Sequence, residues 1–286
     1  MLHNTPRQPA TAAACVRIFL ACAVGWAALA VAPAVQAQPV LRSQMGRLIL
    51  AHPGGSVHDL SALPGVELQL EDGRQIRIDG VEQNTDARGQ PVWLHRVQVA
   101  DALPAGADQP ATRWRPLCET HSDGTQHALF IAGRQQADGR VLEDADAFAV
   151  SCTSGALAKC RRFGYDPEGH DAQQRPLRDA YNACIRMVRA DYGGGGVPHT
   201  QNGRLIDVYD DLGVQKPDMA PDQHFEAGWT SQGAVCVHHP RVLQEATLAG
   251  LEQRYPQLRG RVGAVCTEAL ARSLGATLFN RSAPQP

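Results

Sequence analysis

Six cysteines constrain the fold of this chain more than any other feature of its sequence. The 286 residues include eight cysteines, and six of them follow residue 37: Cys118, Cys152, Cys160, Cys184, Cys236 and Cys266. An even number of cysteines in an exported chain predicts disulfide bonds. No two of the six have the Cys-x-x-Cys spacing of zinc ribbons and thioredoxin-like redox sites. The cysteines therefore indicate a disulfide-stabilised domain.

The first 37 residues have the pattern of a secretory signal peptide. Their only charged residues are Arg7 and Arg17, an apolar run extends from Ile18 to Ala34, and a short Val-Gln-Ala exit ends at Ala37. A basic start, an apolar middle and a small-x-small end are what signal peptidase recognises. We expect cleavage after Ala37 and an exported protein, periplasmic or secreted.

Two other fates of the leader remain open. An uncleaved anchor needs about 20 apolar residues, and this run is shorter and contains Pro33. Lipidation at Cys22 is the second possibility, but Phe19 to Ala21 make an imperfect lipobox. No stretch after residue 37 is long and apolar enough to span a membrane, so we expect no transmembrane segment in the mature chain.

The charge of the mature chain gives no reason to expect nucleic acid as a partner. Cleavage after residue 37 leaves 25 basic and 29 acidic residues, a formal net charge of −4. Nucleic-acid-binding domains are usually basic. The partner class stays open, and a cell-envelope component or another protein is the natural expectation for an exported domain of this kind.

Residues 38–112 read as strands. Val66, Leu68 and Leu70 alternate with polar residues, and the alternation resumes after Asp72-Gly73. Asp-Gly between two alternating runs predicts a β-hairpin, because a type I′ turn needs positive φ at both central positions. The Pro-, Ala- and Gly-rich segment from Asp101 to Thr112 is the best candidate for a linker, and a soft boundary is placed there.

Residues 113–280 read as more helical. Pro176 suits the start of a helix, the side chains of Leu177, Tyr181, Cys184 and Val188 share one face, and Gly193 is the expected stop. Pro240 is expected to open a further helix that ends near Arg254. A last helix runs from Val262 to Gly275, with a frayed end after Leu278 and a tail at residues 281–286. The predicted fold class is α+β, with a small antiparallel sheet region followed by disulfide-tied helices.

Neighbouring predicted elements suggest a pairing of the cysteines, although six cysteines allow 15 connectivities. Cys160 and Cys184 lie on the two central helices, and Cys118 and Cys152 both end strand-like runs. The hypothesis is completed by Cys236 with Cys266, which would tie down the C-terminal helices.

The densest polar segment runs from Arg189 to Asp211 and contains four consecutive glycines. Its candidate ligand-facing residues are Asp191, Tyr192, His199, Thr200, Asp207 and Asp210. Carboxylates and an imidazole around a flexible loop can form an acid/base pair or hold a metal ion. Asp and Gly also simply build turns, and the segment matches neither a phosphate loop nor an EF-hand. No catalytic residue, metal ligand set or cofactor is assigned.

Two further patterns bear on metal binding and on serine nucleophiles. Adjacent histidines on a strand point to opposite faces, so His238 and His239 are interpreted as a turn before Pro240 rather than a metal site. No Gly-x-Ser-x-Gly elbow is present, and Ser154-Gly155 lacks the preceding glycine.

The same polar segment also carries a family resemblance. Arg186 to Tyr192, followed by Thr200, Gly203 and Ile206 to Asp210, resembles the signature of ADYC-domain proteins. Further blocks agree along the chain: Trp114 to Cys118, Phe148 to Cys152, Gly155 to Tyr165, Phe225 to Ala227 and Gly233 to Cys236. The resemblance implies a bacterial exported protein of unknown function, and no catalytic residue is carried over from it. Gly193 stands where the family name has its cysteine.

Two function classes remain open on the sequence. The leading hypothesis is a non-catalytic binding or envelope-associated domain, because the cysteine framework is present and no catalytic constellation is recognisable. The alternative is a secreted or periplasmic hydrolase, possibly metal-dependent, that uses the Asp191–Asp211 loop. Burial of Asp191 and Asp207 in turn-capping hydrogen bonds would count against the hydrolase, and convergence with His199 in a shared cleft would favour it. A surface module that oligomerises is a third possibility.

Overall fold

The computed structural model describes residues 39–60, 64–101, 112–120, 124, 126–218 and 220–283. The expected signal peptide at 1–37 and most of the expected linker lie outside these residues. The strands of the described part are β1 Val40–Gln44, β2 Arg47–Ala51, β3 Val57–Asp59, β4 Val66–Gln69, β5 Gln75–Thr85, β6 Pro91–Ala100, β7 Trp114–Pro116, β8 His127–Ala132, β9 Arg134–Gln135, β10 Val141–Leu142, β11 Phe148–Cys152, β12 Asp207–Asp210, β13 His224–Thr230, β14 Gly233–Val237 and β15 Leu278–Ser282. The α-helices are α1 Ala156–Arg162, α2 Arg178–Arg189, α3 Leu248–Arg254 and α4 Glu268–Ser273.

The strands form four antiparallel sheets. The largest has the order β11-β8-β6-β5-β4, with β7 also paired to β6, and a second has the order β12-β15-β13-β14. A three-stranded sheet of β1, β2 and β3 and the β9–β10 pair complete the set. The predicted α+β class is confirmed, and the second half of the chain holds more strand than its sequence indicated.

The predicted hairpin at Asp72-Gly73 is present, with Val66 opposite Ile78 and Gln69 opposite Gln75. The segment chosen as a linker lies between β6 and β7 in the sequence. Its two ends are joined, since the amide of Asp101 donates to the carbonyl of Arg113 at 2.8 Å. The largest sheet therefore takes strands from both sides of the soft boundary.

Helix α2 forms the centre of the main core. Its residues from Ala180 to Met187 are all buried, and it packs against α1 and the β13–β15 strands. A helix that is buried on every side needs partners for its few polar side chains. Asn182 has them, because its side chain exchanges two hydrogen bonds with the backbone of Val141 at 2.8 and 3.1 Å.

The three disulfides join the pairs proposed from the sequence. Cys160–Cys184 connects α1 to α2, and Cys118–Cys152 connects the end of β11 to the residues after β7. Cys236–Cys266 connects strand β14, rather than a helix, to the segment before α4. The loops they close are 24 to 34 residues long, a length at which each bond restricts the unfolded chain by about 3–4 kcal/mol.

Three expectations for where helices begin or end are wrong. The last helix begins at Glu268 rather than at Val262, after a short 3-10 turn at Gly263–Val265. Helix α2 ends at Arg189 and not at Gly193, because Ala190 adopts the left-handed conformation with φ of 47°. The helix expected from Pro240 begins only at Leu248, where the Thr247 hydroxyl accepts a hydrogen bond from the amide of Gly250. At the start of the intervening segment Pro240, Arg241 and Val242 are buried, whereas Leu243, Gln244 and Glu245 are exposed.

The frayed tail expected after Leu278 is instead a central strand. Strand β15 lies between β12 and β13, and Phe279 and Asn280 are completely buried in it. Pairing on both edges supplies the hydrogen bonds that a free end would lack. The tail expected at 281–286 therefore begins with two strand residues, and residues 284–286 lie outside the described part.

Candidate functional site

The polar segment from Arg189 to Asp211 connects the C-terminus of α2 to strand β12. Asp191, its first candidate residue, is completely buried. One carboxylate oxygen, Oδ2, pairs with Arg186 Nη1 at 2.6 Å and accepts the amide of Gly196 at 2.7 Å. The other oxygen has no hydrogen-bond donor among the described residues. Asp191 thus ties the glycine loop back onto the last turns of α2.

Tyr192, the second candidate, is equally buried and lies in a network of polar side chains. Its hydroxyl donates to Glu226 Oε1 at 2.9 Å and accepts from the amide of Arg241 at 2.9 Å. Its ring stacks on Trp229 with centroids 5.4 Å apart. Burial, followed by the charge of Glu226, raises the pKa of Tyr192 well above its ordinary value. The phenol is therefore a fixed hydrogen-bond bridge.

Glu226 and Arg241 form the charged centre of this network. Arg241 Nε and Nη2 lie 3.0 and 3.1 Å from the two carboxylate oxygens of Glu226. Asn280 donates to Glu226 at 2.7 Å and accepts from Trp229 Nε1 at 2.8 Å. Burial alone would raise the pKa of Glu226, but attraction and hydrogen bonds from Arg241, with help from Ser282 and Asn280, outweigh it and lower the pKa.

Arg241 also closes the end of α2. Its Nη2 donates to the carbonyl of Met187 at 2.8 Å, and its Nη1 donates to the carbonyl of Val188 at 3.1 Å. Carbonyls of the last helical turn have no partner within the helix and attract positive charge. Sequence reasoning did not single out Arg241, Glu226 or Asn280. The only sign of Glu226 was a lone charged residue in an otherwise apolar strand, within one of the blocks of the family resemblance.

His199 and Thr200 face the same helix end. His199 Nδ1 lies 3.0 Å from the carbonyl of Ala190, and His199 Nε2 lies 3.4 Å from the hydroxyl of Tyr255. Burial lowers the pKa of His199. The hydroxyl of Thr200 is 3.4 Å from Arg241 Nη1. His199 is 3% exposed, so its imidazole is largely shielded from solvent.

Asp207 and Asp210 bind the turn that follows β12. Asp207 Oδ1 accepts the amide of Asp218 at 2.9 Å, while its Oδ2 has no donor among the described residues. Asp210 accepts backbone amides 2.7 to 3.1 Å away. It also accepts the hydroxyl of Tyr165 at 2.7 Å. Both carboxylates are engaged by loop amides, as expected of Asp at turns.

A groove elsewhere on the molecule has a different character. It has a volume of about 630 Å³ and lies on the largest sheet, beside the part of β6 where His95 and Arg96 pair with β8 and Gln98 to Ala100 pair with β7. We call it the β5–β6 groove. It is lined by Asp79, Val81, Glu82, Leu94, Arg96, Val97, Gln98, Pro116, Gly124, Gln126 and His127. None of the six candidate residues from the sequence lines it, and Pro116, within the Trp114 to Cys118 block, is the one lining residue that the family resemblance includes.

Within the described ranges, no group of three or more His, Cys, Asp or Glu side chains is placed to hold a metal ion. The helices in those ranges are all too short or too polar to cross a membrane.

Comparison with known families decides the relationship of this chain. A family model described as the ADYC domain matches residues 61–243. The chain belongs to the ADYC-domain family. The match includes the soft boundary, the whole Arg189–Asp211 segment, Glu226 and Arg241. Strand β15, which completes the second sheet of this ADYC protein, lies beyond it. No curated protein and no solved structure matches the chain.

Proposed function

We propose that this ADYC protein is an exported, non-catalytic binding domain that holds a small ligand or envelope component in the β5–β6 groove. The proposal rests on a contrast between the polar side chains of the Asp191–Asp210 segment and those of the groove. In the segment from Asp191 to Asp210 each candidate side chain is bonded to a loop amide, to the carbonyl at the end of α2 or to the Glu226–Arg241 pair. In the groove, polar side chains remain open to solvent.

The bonding of the signature residues supports a scaffold role. Asp191 holds the glycine loop, and Tyr192 bridges Glu226 to Arg241. A general base must reach a substrate proton within about 3 Å or through one water, and the buried carboxylate of Asp191 has the guanidinium of Arg186 against it. Asp207 likewise accepts a hydrogen bond, from the amide of Asp218.

The dimensions and lining of the groove support ligand binding. Small-molecule sites usually have volumes of roughly 300–1,000 Å³ and a few well-placed polar groups, and the groove is about 630 Å³. Its walls combine apolar side chains such as Leu94 and Val97 with the amides of Gln98 and Gln126. Three disulfides are in keeping with an oxidising compartment outside the cytoplasm.

A ligand screen with two tryptophan variants tests this proposal. Wild type, Gln98→Trp and Gln253→Trp are screened by ligand-observed NMR against small sugars, amino acids and organic acids. Gln98→Trp fills the groove, whereas Gln253 is an exposed residue of α3 and serves as the matched control. We expect hits that bind wild type and Gln253→Trp and are lost with Gln98→Trp.

The hydrolase alternative is measured on the same proteins. Purified wild type and His199→Ala are assayed against ester, phosphomonoester and peptide substrates, with and without added divalent metal. The proposal expects no turnover that depends on His199. Turnover abolished by His199→Ala in a folded variant, or hits that Gln98→Trp does not affect, would overturn it.

A further inference from the structure

Arg96 is the basic residue of the β5–β6 groove whose side chain lacks an acidic partner. It lies on strand β6 opposite Gly80 of β5, and its side chain is exposed. Most arginines of this sheet have an acidic partner: Arg77, one strand away, donates to Asp79 at 2.8 Å. The side chain of Arg96 has no hydrogen-bond or ion-pair partner among the residues that the structure describes.

The guanidinium of Arg96 occupies space that a side chain on Gly80 would fill. A Cβ on Gly80 would lie 2.6 Å from Arg96 Nη2 and 3.1 Å from Nε. Gly80 also follows a β-bulge, at which the register between β5 and β6 shifts after Ile78. Gly80 has ordinary negative-φ backbone and is not required for a turn. It leaves the space that the Arg96 guanidinium occupies beside the backbone of β5.

Both carboxylates of the groove have a side-chain partner. Asp79 pairs with Arg77, and Glu82 contacts His127. Gln98 accepts from Arg77 Nη2 at 3.0 Å through its carbonyl oxygen, so its NH₂ group remains available as a donor. The groove thus presents one guanidinium without a carboxylate partner and at least one amide donor. Two carboxylates nearby make it unfavourable for a group with more than one negative charge.

We infer that the groove binds the carboxylate of a small organic acid through Arg96. A guanidinium matches a carboxylate with two parallel N–H···O hydrogen bonds, a geometry that a neutral amide cannot reproduce. The partly enclosed groove strengthens such a pair relative to one on an open surface. This inference rests on the proposed function and adds the chemical class of the ligand and the residue that anchors it.

Two pairs of probes test the inference. Each pair differs in its carboxylate: N-acetylglycine with N-acetylglycinamide, and glucuronic acid with glucose. The first pair represents a peptide-like source of the acid and the second a sugar. Titrations follow the Nε–Hε resonance of Arg96 in ¹⁵N-labelled protein, together with the backbone amides.

Three variants accompany the titrations. Arg96→Gln removes the charge, and Gly80→Ala keeps the charge but displaces the guanidinium. Arg259→Gln removes an exposed arginine outside the groove and is the matched control. We expect a saturable shift of Arg96 with at least one acid, about tenfold weaker binding of its neutral partner, and a loss of about tenfold or more in both Arg96→Gln and Gly80→Ala. Arg259→Gln should bind as wild type does.

The inference is overturned if neither acid shifts Arg96 saturably, if the neutral partners bind equally well, or if Arg96→Gln retains the affinity. A neutral library hit that is lost in Gln98→Trp, together with no binding of either acid, would overturn the inference and leave the binding proposal standing. Absence of both acid binding and any hit lost in Gln98→Trp would remove both.

Discussion

The guanidinium of Arg241 meets the carboxylate of Glu226 through hydrogen bonds of 3.0 and 3.1 Å inside the protein. Arg241 is 2% exposed and Glu226 is completely buried. The pair connects the end of α2 to the second sheet, because Arg241 also binds the carbonyls of Met187 and Val188. The signature residue Tyr192 bridges both partners, so the signature is part of the mechanism that holds helix and sheet together.

Removal of one member of this pair should be among the most damaging single changes in the protein. Arg241→Met leaves the Glu226 carboxylate buried without its counter-charge, which typically costs about 3–5 kcal/mol. Asp146→Asn breaks the exposed pair with Arg42 and should cost less than about 1 kcal/mol. Urea unfolding at pH 7 measures both. Equal losses in the two variants would contradict the scaffold role of the pair.

Acid should destabilise the protein partly through His95. Burial lowers the pKa of His95 from 6.5 to about 4. The unfolded chain therefore takes up a proton there between pH 6.5 and 4 that the folded protein does not, and stability falls as pH falls through that window. The contribution is up to about 3 kcal/mol. The free energy of unfolding of His95→Gln should depend less steeply on pH between 7 and 4.5, whereas exposed His170→Gln should follow wild type. Parallel curves for wild type and His95→Gln would refute this.

Gly193 should not accept the cysteine of the family name in this chain. A Cβ at this position would overlap the ring of Tyr255, which occupies the adjacent space. Overpacking of this kind costs about 1–3 kcal/mol. Gly193→Cys should therefore destabilise wild type and cost much less in a Tyr255→Ala background, as a double-mutant cycle by urea unfolding would reveal. An equal cost in both backgrounds would mean that Tyr255 is not the obstacle.

The three disulfides should differ in their resistance to reductant. Cys152 is half-buried. In the other two disulfides, Cys160–Cys184 and Cys236–Cys266, all four cysteines are completely buried. A thiolate must reach the sulfur that it attacks. Under native conditions and mild reductant, Cys118–Cys152 should open first. Alkylation of the freed thiols followed by peptide mapping gives the order, and earlier labelling of Cys160 or Cys236 would be inconsistent with these burials.

Local patterns in the sequence predicted the elements that depend on local interactions. The hairpin at Asp72-Gly73 and the apolar face of α2 follow from turn geometry and helical period, and the nearness of helices in sequence suggested the pairing of Cys160 with Cys184. Strand β15 was missed because Leu278–Ser282 is short and becomes a strand only by pairing with β12 and β13. The late start of α3 has the same kind of cause, since Arg241 is drawn to Glu226, a residue on another element.

The candidate site was predicted less well than the fold. Sequence located the polar segment from Asp191 to Asp210 but contained little information on burial, which depends on partners such as Glu226 and Tyr165. The β5–β6 groove could not be recognised, because Arg96 and Gln98 have the spacing of an ordinary solvated strand face. The groove forms only where residues of β5, β6, β7 and β8 come together in the folded sheet.

The central claim is that the signature segment is scaffold and the groove is the binding site. Its most direct test is backbone-amide NMR of wild type titrated with a hit from the small-molecule screen. The account predicts saturable shifts that cluster at Val81, Leu94 to Gln98 and Gln126, with the amides of Asp191 to Asp210 unchanged. Saturable shifts that cluster from Asp191 to Asp210 and leave the groove unaffected would contradict it.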